Sequence, residues 1–248
     1  TRAGAEIFDA EGRRANRDEL RIDLGATQIE KGGYKHFMAK EIAQQPAVLG
    51  DALRHYLTED GLNLPAELDF SNISRLTLVA CGTAYYACAI AKYWFESLAR
   101  LPVEIDVASE FRYREPPLPG ESYAIFVSQS GETADTLAAL RYCHEKVAKT
   151  VAVVNVPTSS IARESDVALP ILAGVEVGVA STKAFTCQLL VLAALALKAG
   201  HDRGHLSDAE LAQHMADLRA LPGLMNAALG ISEQIEKLAE RLAEAQDI

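Results

Sequence analysis

The chain has 248 residues, 49% of them hydrophobic and 23% charged, with a formal net charge of −10 at pH 7. That length accommodates one sizeable α/β domain with appendages and hardly two complete domains, while the acidic excess excludes nucleic acid and anionic membranes as general partners, because both attract basic patches. No apolar run reaches the ~18 uninterrupted residues of a membrane span, and Cys81, Cys88, Cys143 and Cys187, without CxxC spacing, read as free thiols of a reducing cytoplasm.

Residues 1–23 read as a tail without a core, in which Glu6-Ile7-Phe8 has strand character and Asp9-Ala10-Glu11-Gly12 that of a turn. The chain opens on Thr1 rather than Met and carries no signal peptide, as a piece of a longer polypeptide would. Tyr34, Phe37, Met38 and Ile42 then recur at helical spacing, and Gln45-Pro46 predicts an end or a kink before a second helix over 47–56. An irregular connection over 61–74 follows, helped by Pro65 and Asn72.

From Leu76 short apolar runs alternate with helical stretches, the mark of parallel βαβ units. Strands are predicted at 76–79, 103–107, 123–127, 151–156 and 167–172, with helices at 84–98, 109–112 and 134–147 and a helical turn after Pro157. A strongly apolar helix over 183–197 must be buried around most of its circumference. Right-handed crossovers make of this an α/β fold, a three-layer αβα sandwich around a five-stranded parallel sheet, with flanking helices. Beyond Gly200, Ser207 and Glu210 form a capping box for a helix reaching about Ala220, before Pro222-Gly223, and an amphipathic segment over 231–244 closes the chain.

Ligands of open parallel sheets sit outside the carboxyl ends of the strands. Three loops there carry small polar residues: Cys81-Gly82-Thr83, Ser128-Gln129-Ser130-Gly131-Glu132-Thr133 and Gly178-Val179-Ala180-Ser181-Thr182-Lys183. One such loop alone is what any strand-to-helix turn prefers; three on one edge favour binding. The second sets the hydroxyls of Ser128, Ser130 and Thr133 against a helix N-terminus, which attracts an anion without Lys or Arg. It is a phosphate cradle by composition. Neither GxxxxGK[ST] nor a GxGxxG after a strand is present, so a nucleotide reading is weak.

Several residues nearby have competing readings. Glu132 and Asp135 would repel a phosphate unless they point away, and Glu132 reads as a helix-dipole or solvated group rather than an acid or base. Cys81 reads as a strand-end thiol rather than a nucleophile. His201 and His205, with Gly204 between them, read as an exposed linker rather than a metal pair.

These loops, with Ala108-Ser109-Glu110-Phe111-Arg112-Tyr113 and the upstream string Lys31-Gly32-Gly33-Tyr34-Lys35-His36-Phe37-Met38-Ala39-Lys40-Glu41-Ile42, resemble the glutamine–fructose-6-phosphate aminotransferase (isomerizing) family, the glucosamine-6-phosphate synthases. The resemblance covers nearly the whole chain. It implies a glutaminase domain followed by two sugar isomerase (SIS) domains of flavodoxin-like fold, in a cytoplasmic homodimer that uses neither cofactor nor metal. On that plan residues 1–23 are a linker from the glutaminase, 24–228 the first SIS domain with its N-terminal helices, and 229–248 a helical linker toward a second SIS domain.

Residue by residue, the resemblance gives Thr83, Ser128, Gln129, Ser130 and Thr133 to the phosphate of fructose 6-phosphate or glucosamine 6-phosphate, and Val179 and Ser181 to the sugar. Ala84 stands where relatives often hold Ser, which removes one hydroxyl. No catalytic residue falls in this chain, since the glutamine-hydrolysing Cys precedes it and the ring-opening and isomerising groups belong to the second SIS domain. The implied behaviour is binding without turnover. Two alternatives stand beside it: a non-catalytic SIS sensor, which needs a basic helix-turn-helix that residues 1–23 do not supply, and a flavin carrier, which needs aromatic rings beyond Tyr85 near the cradle.

Overall fold

Apolar runs buried on both faces build the sheet. In a computed structural model that describes residues 6–16, 30–59, 61–243 and 245–246, strands β1 (Arg75–Ala80), β2 (Val103–Val107), β3 (Ser122–Ser128), β4 (Lys149–Val154) and β5 (Val167–Pro170) are all parallel, in the order β2-β1-β3-β4-β5. Every residue of the central β3 is buried, which is why it reads as a continuous apolar run instead of an alternation. Because the order reverses between β1 and β3, a crevice opens beyond their carboxyl ends.

Around the sheet lie α1 (Phe37–Tyr56), α2 (Thr83–Leu98), α3 (Ala108–Arg114), α4 (Ala134–Cys143), α5 (Ser160–Glu164), α6 (Lys183–Asp202), α7 (Asp208–Leu229) and α8 (Ser232–Leu242). One face packs Leu76, Leu78, Ile125 and Val153 against Phe95 of α2 and Val191 and Leu195 of α6. The opposite face packs Val79, Phe126 and Val154 against Phe111, Leu140 and Ile161 of the three shorter helices. The result is the expected three-layer αβα sandwich. A satellite cluster of Leu49, Leu53, Leu190 and Met215 ties α1 to α6 and α7.

Several boundaries differ from expectation. Helix α1 is continuous through Pro46, because the amide of Gln45 donates to the Ile42 carbonyl (3.1 Å), the acceptor that proline leaves without its usual partner. Helix α7 likewise runs through Pro222 to Leu229, on a helix whose one buried residue is Met215, where solvent can take up the lost bond. Helix α4 stops at Cys143 rather than 147, and the chain turns back through Glu145 at φ +63°. Strand β4 spans 149–154 instead of 151–156, and β5 ends at Pro170. The capping box of α7 is formed: Ser207 Oγ accepts from Glu210 N (3.3 Å) and Glu210 Oε2 from Ser207 N (2.9 Å).

Helix α6 continues five residues past its expected end, to Asp202. Its length and mean hydropathy of 1.4 would suit a membrane span, but 67% of that window is buried inside the fold, as befits a core helix. His201 therefore sits on the helix and pairs with Asp208 (2.8 Å), while His205 follows the turn at Gly204 and shares no helix face with it.

The chain divides into two units, Thr1–Glu30 and Lys31–Ile248. Within the first, Phe8 makes an isolated antiparallel bridge with Arg14 around a turn in which the Asp9 carboxylate accepts from the N–H groups of Glu11 and Arg13. Glu6 to Phe8 forms no longer strand, and the remainder of the expected tail, 1–5 and 17–23, lies outside the described residues.

Candidate functional site

The loop leaving β3 folds on its own hydroxyls. Ser128 Oγ accepts from Gly131 N (3.0 Å) and lies 3.1 Å from Thr133 Oγ1, while Ser130 Oγ accepts from Glu132 N (3.2 Å). Gly131 stands at φ +66°, and a Cβ there would collide with the Ser159 hydroxyl, so the turn requires glycine. Thr133 is the N-cap of α4 but does not cap it with its side chain. The opening N–H groups of α4 thus face the same space as the hydroxyls, the arrangement that favours an anion.

Two other helices begin beside it. Gly82, at φ +58°, turns the chain from β1 into α2 at Thr83. The loop before α6 is tied by Glu176, whose carboxylate accepts from Ser181 Oγ (3.2 Å), Thr182 N (2.9 Å) and Ala184 N (3.1 Å). With its proton committed to Glu176, the Ser181 hydroxyl presents lone pairs to the cavity.

The structure brings all seven sequence-predicted residues together. Thr83, Ser128, Gln129, Ser130, Thr133, Val179 and Ser181 line one cavity of about 220 Å³, with Cys81, Ala84, Val127 and Gln188. Among these lining residues none is charged and none is aromatic, which leaves a flavin ring without a stacking partner. The two acidic neighbours turn elsewhere. Glu132 Oε1 accepts from Ser160 N (2.7 Å) at the start of α5, and that backbone hydrogen bond holds its carboxyl below the ordinary 4.5. Asp135 pairs with Arg112 at 2.7 Å.

Sequence reasoning missed Gln188. It lies on α6, is 2% exposed, lines the cavity, and its Oε1 is buried without a hydrogen-bond partner. A lone amide between Cys187 and Leu189 in an apolar helix was the available signal, since a buried polar group demands a partner. Cys81 is half-buried at the cavity edge. Burial pushes the Cys143 and Cys187 thiols up to about 12 and that of Cys88 higher still, so these three are inert packing groups. Among the described residues no cluster of His, Cys, Asp or Glu could hold a metal ion.

Comparison with known proteins matches residues 69–198, more than half of the chain, to the family model described as SIS domain. The chain belongs to the SIS domain family. Curated relatives of this SIS chain include a glutamine–fructose-6-phosphate aminotransferase [isomerizing] of Bradyrhizobium diazoefficiens, 55% identical over 252 residues, and one of Agrobacterium fabrum, 52% identical. Each alignment takes in 100% of this chain but 41% of the relative, so the chain spans well under half the length of the proteins it resembles. Among solved structures, the C-terminal domain of glucosamine-fructose-6-phosphate aminotransferase from Francisella tularensis superposes with a TM-score of 0.84 at 39% identity, over 88% of this chain and 62% of that one.

Proposed function

We propose that this chain is the first SIS domain, with its flanking segments, of an enzyme that makes glucosamine 6-phosphate from fructose 6-phosphate and glutamine, and that its part is to bind the sugar phosphate. The observation that carries the reading is the meeting of the N-termini of α2 and α4 with the hydroxyls of Thr83, Ser128, Ser130 and Thr133 around one uncharged cavity. A phosphate monoester accepts from many neutral donors at once, and helix termini supply the positive potential that Lys or Arg would otherwise provide.

On this reading the phosphate rests on the turn from Ser128 to Thr133. Ser130 accepts from Glu132 N and keeps its own proton to give, and the Ser128–Thr133 pair, having spent one O–H between its members, retains the other. Thr83 closes the phosphate from the β1 side. The sugar extends toward Val179 and Ser181, where Ser181 accepts from a ligand hydroxyl because Glu176 takes its proton.

We assign residues 1–23 to a linker from a glutaminase domain, 24–228 to the SIS domain with its leading helix, and 229–248 to a linker toward a second SIS domain. The exposed apolar face of α8, with Ile235, Leu238 and Leu242, supports a further domain packing there, and the exposed Tyr86, Ile90 and Tyr93 of α2 support a homodimer. Free thiols fit the cytoplasm.

Backbone amide shifts measured by NMR test the reading. Fructose 6-phosphate is expected to move the resonances of Gly131, Glu132, Thr133 and Ser181 and fructose to leave those of the cradle in place; shifts confined to other surfaces would overturn it.

A further inference from the structure

Glu41 is a carboxylate on α1, 2% exposed, and it lines no part of the cavity. It accepts from Val177 N at 2.6 Å and from Gly178 N at 3.2 Å through Oε1 and 3.1 Å through Oε2. A Cβ on Gly178 would come within 2.5 Å of Glu41 Oε2, so any side chain there would push the loop and the carboxylate apart. Buried carboxylates are retained only when paired and hydrogen-bonded. Here the counter-charge is near: Lys183, 4% exposed, bonds Gln44 on the same face of α1 at 2.9 Å and stands in the field of both Glu41 and Glu176.

Two carboxylates thus grip one loop from opposite ends. Glu41 holds Val177 and Gly178 on the entry side, and Glu176 holds Ser181, Thr182 and Ala184 on the exit side. Val179 lies between the two grips, exposed, at the rim of the cavity. The exit grip is local, six residues from Glu176 to Thr182. The entry grip crosses 136 residues of sequence and comes from a helix outside the stretch 69–198 that matches the SIS model.

We propose that Glu41 is a positioning residue for the sugar end of the site, which by fixing the Val177 and Gly178 amides sets Val179 and Ser181 against the ligand, so that α1 governs affinity for the sugar without touching it. This rests on the sugar-phosphate reading above. The phosphate end needs no such help, because Ser128 to Thr133 is folded by its own hydroxyls and by the α4 terminus. The two ends of one ligand therefore answer to different supports.

The test is Glu41→Gln in the whole chain, which keeps the side-chain volume and one acceptor but turns an amide NH₂ toward a loop that offers only donors. Hydrogen exchange of the Val177 and Gly178 amides is expected to accelerate. Affinity for fructose 6-phosphate is expected to fall about tenfold, the equivalent of one charge-assisted hydrogen bond, while that for inorganic phosphate stays within about twofold. Gly178→Ala pushes the loop off Glu41 from the other side with α1 unaltered, and the same split is expected of it should Glu41→Gln fold poorly. Unchanged amide exchange, or phosphate and sugar phosphate weakened in parallel, would overturn the proposal. If the parent chain bound neither ligand, the sugar-phosphate reading would fail and the exchange rates at Val177 and Gly178 would alone decide whether Glu41 holds the loop.

Discussion

The hydroxyls of Ser128 and Thr133 lie 3.1 Å apart, joining the last residue of β3 to the N-cap of α4. One donates to the other, so the pair presents a single free proton and acts as a unit. Alanine at either position is expected to remove most of what the double replacement removes, about 1–3 kcal/mol of phosphate binding, since groups sharing one network are not additive. Titration of inorganic phosphate into the two single variants and the double variant measures this, and additive losses would mean that each hydroxyl meets the anion separately.

Gly131→Ala tests the turn. The residue stands at φ +66° with the Ser159 side chain where its Cβ would go. The substitution is expected to cost about 1–3 kcal/mol of stability, read from the urea midpoint. It should also weaken phosphate binding, because the turn carries the hydroxyls.

The carboxylate of Glu132 supports α5 rather than the ligand. Its pKa is lowered by the Ser160 backbone hydrogen bond, so the stabilisation it confers is complete above the ordinary 4.5 and fades as pH falls through the depressed value. Glu132→Gln is therefore expected to melt below the parent at neutral pH, with the gap closing as pH falls below the ordinary carboxylate range. Its phosphate affinity should not decline, and a marked loss would restore a role for this carboxylate at the site.

For Gln188 stability and affinity should part company. Its buried Oε1 lacks a partner, so Gln188→Leu removes an unsatisfied group and is expected to leave the melting temperature unchanged or higher. Fructose 6-phosphate should nonetheless bind more weakly, because Gln188 lines the cavity. Thermal melts and titrations of the same preparation decide the matter, and a drop in stability with intact binding would make Gln188 a packing residue.

Much of this was legible before any coordinates. The strands showed because burial on both faces leaves nothing but apolar residues, as at Tyr123 to Val127. The grouping of Ser128, Ser130 and Thr133 showed because they are contiguous in sequence, and the Ser207–Glu210 box because capping is local. What escaped depends on contacts that sequence spacing does not carry. Helix α1 passes Pro46 because the Gln45 amide serves the Ile42 carbonyl. Glu41 carries no such signal, because its hydrogen-bond partner Val177 lies 136 residues away in sequence. Gln188 hides in an apolar run whose burial was evident and whose proximity to the cavity was not.

The central claim is that the Ser128–Thr133 cradle binds the phosphate of a sugar phosphate. Calorimetric titration of the chain with fructose 6-phosphate and glucosamine 6-phosphate, with fructose as control and with the Ser128→Ala, Thr133→Ala double variant alongside, tests it most directly. The account predicts binding that requires the phosphate and disappears in the double variant. Absence of binding by the folded parent chain, or binding that survives the double replacement, would contradict it.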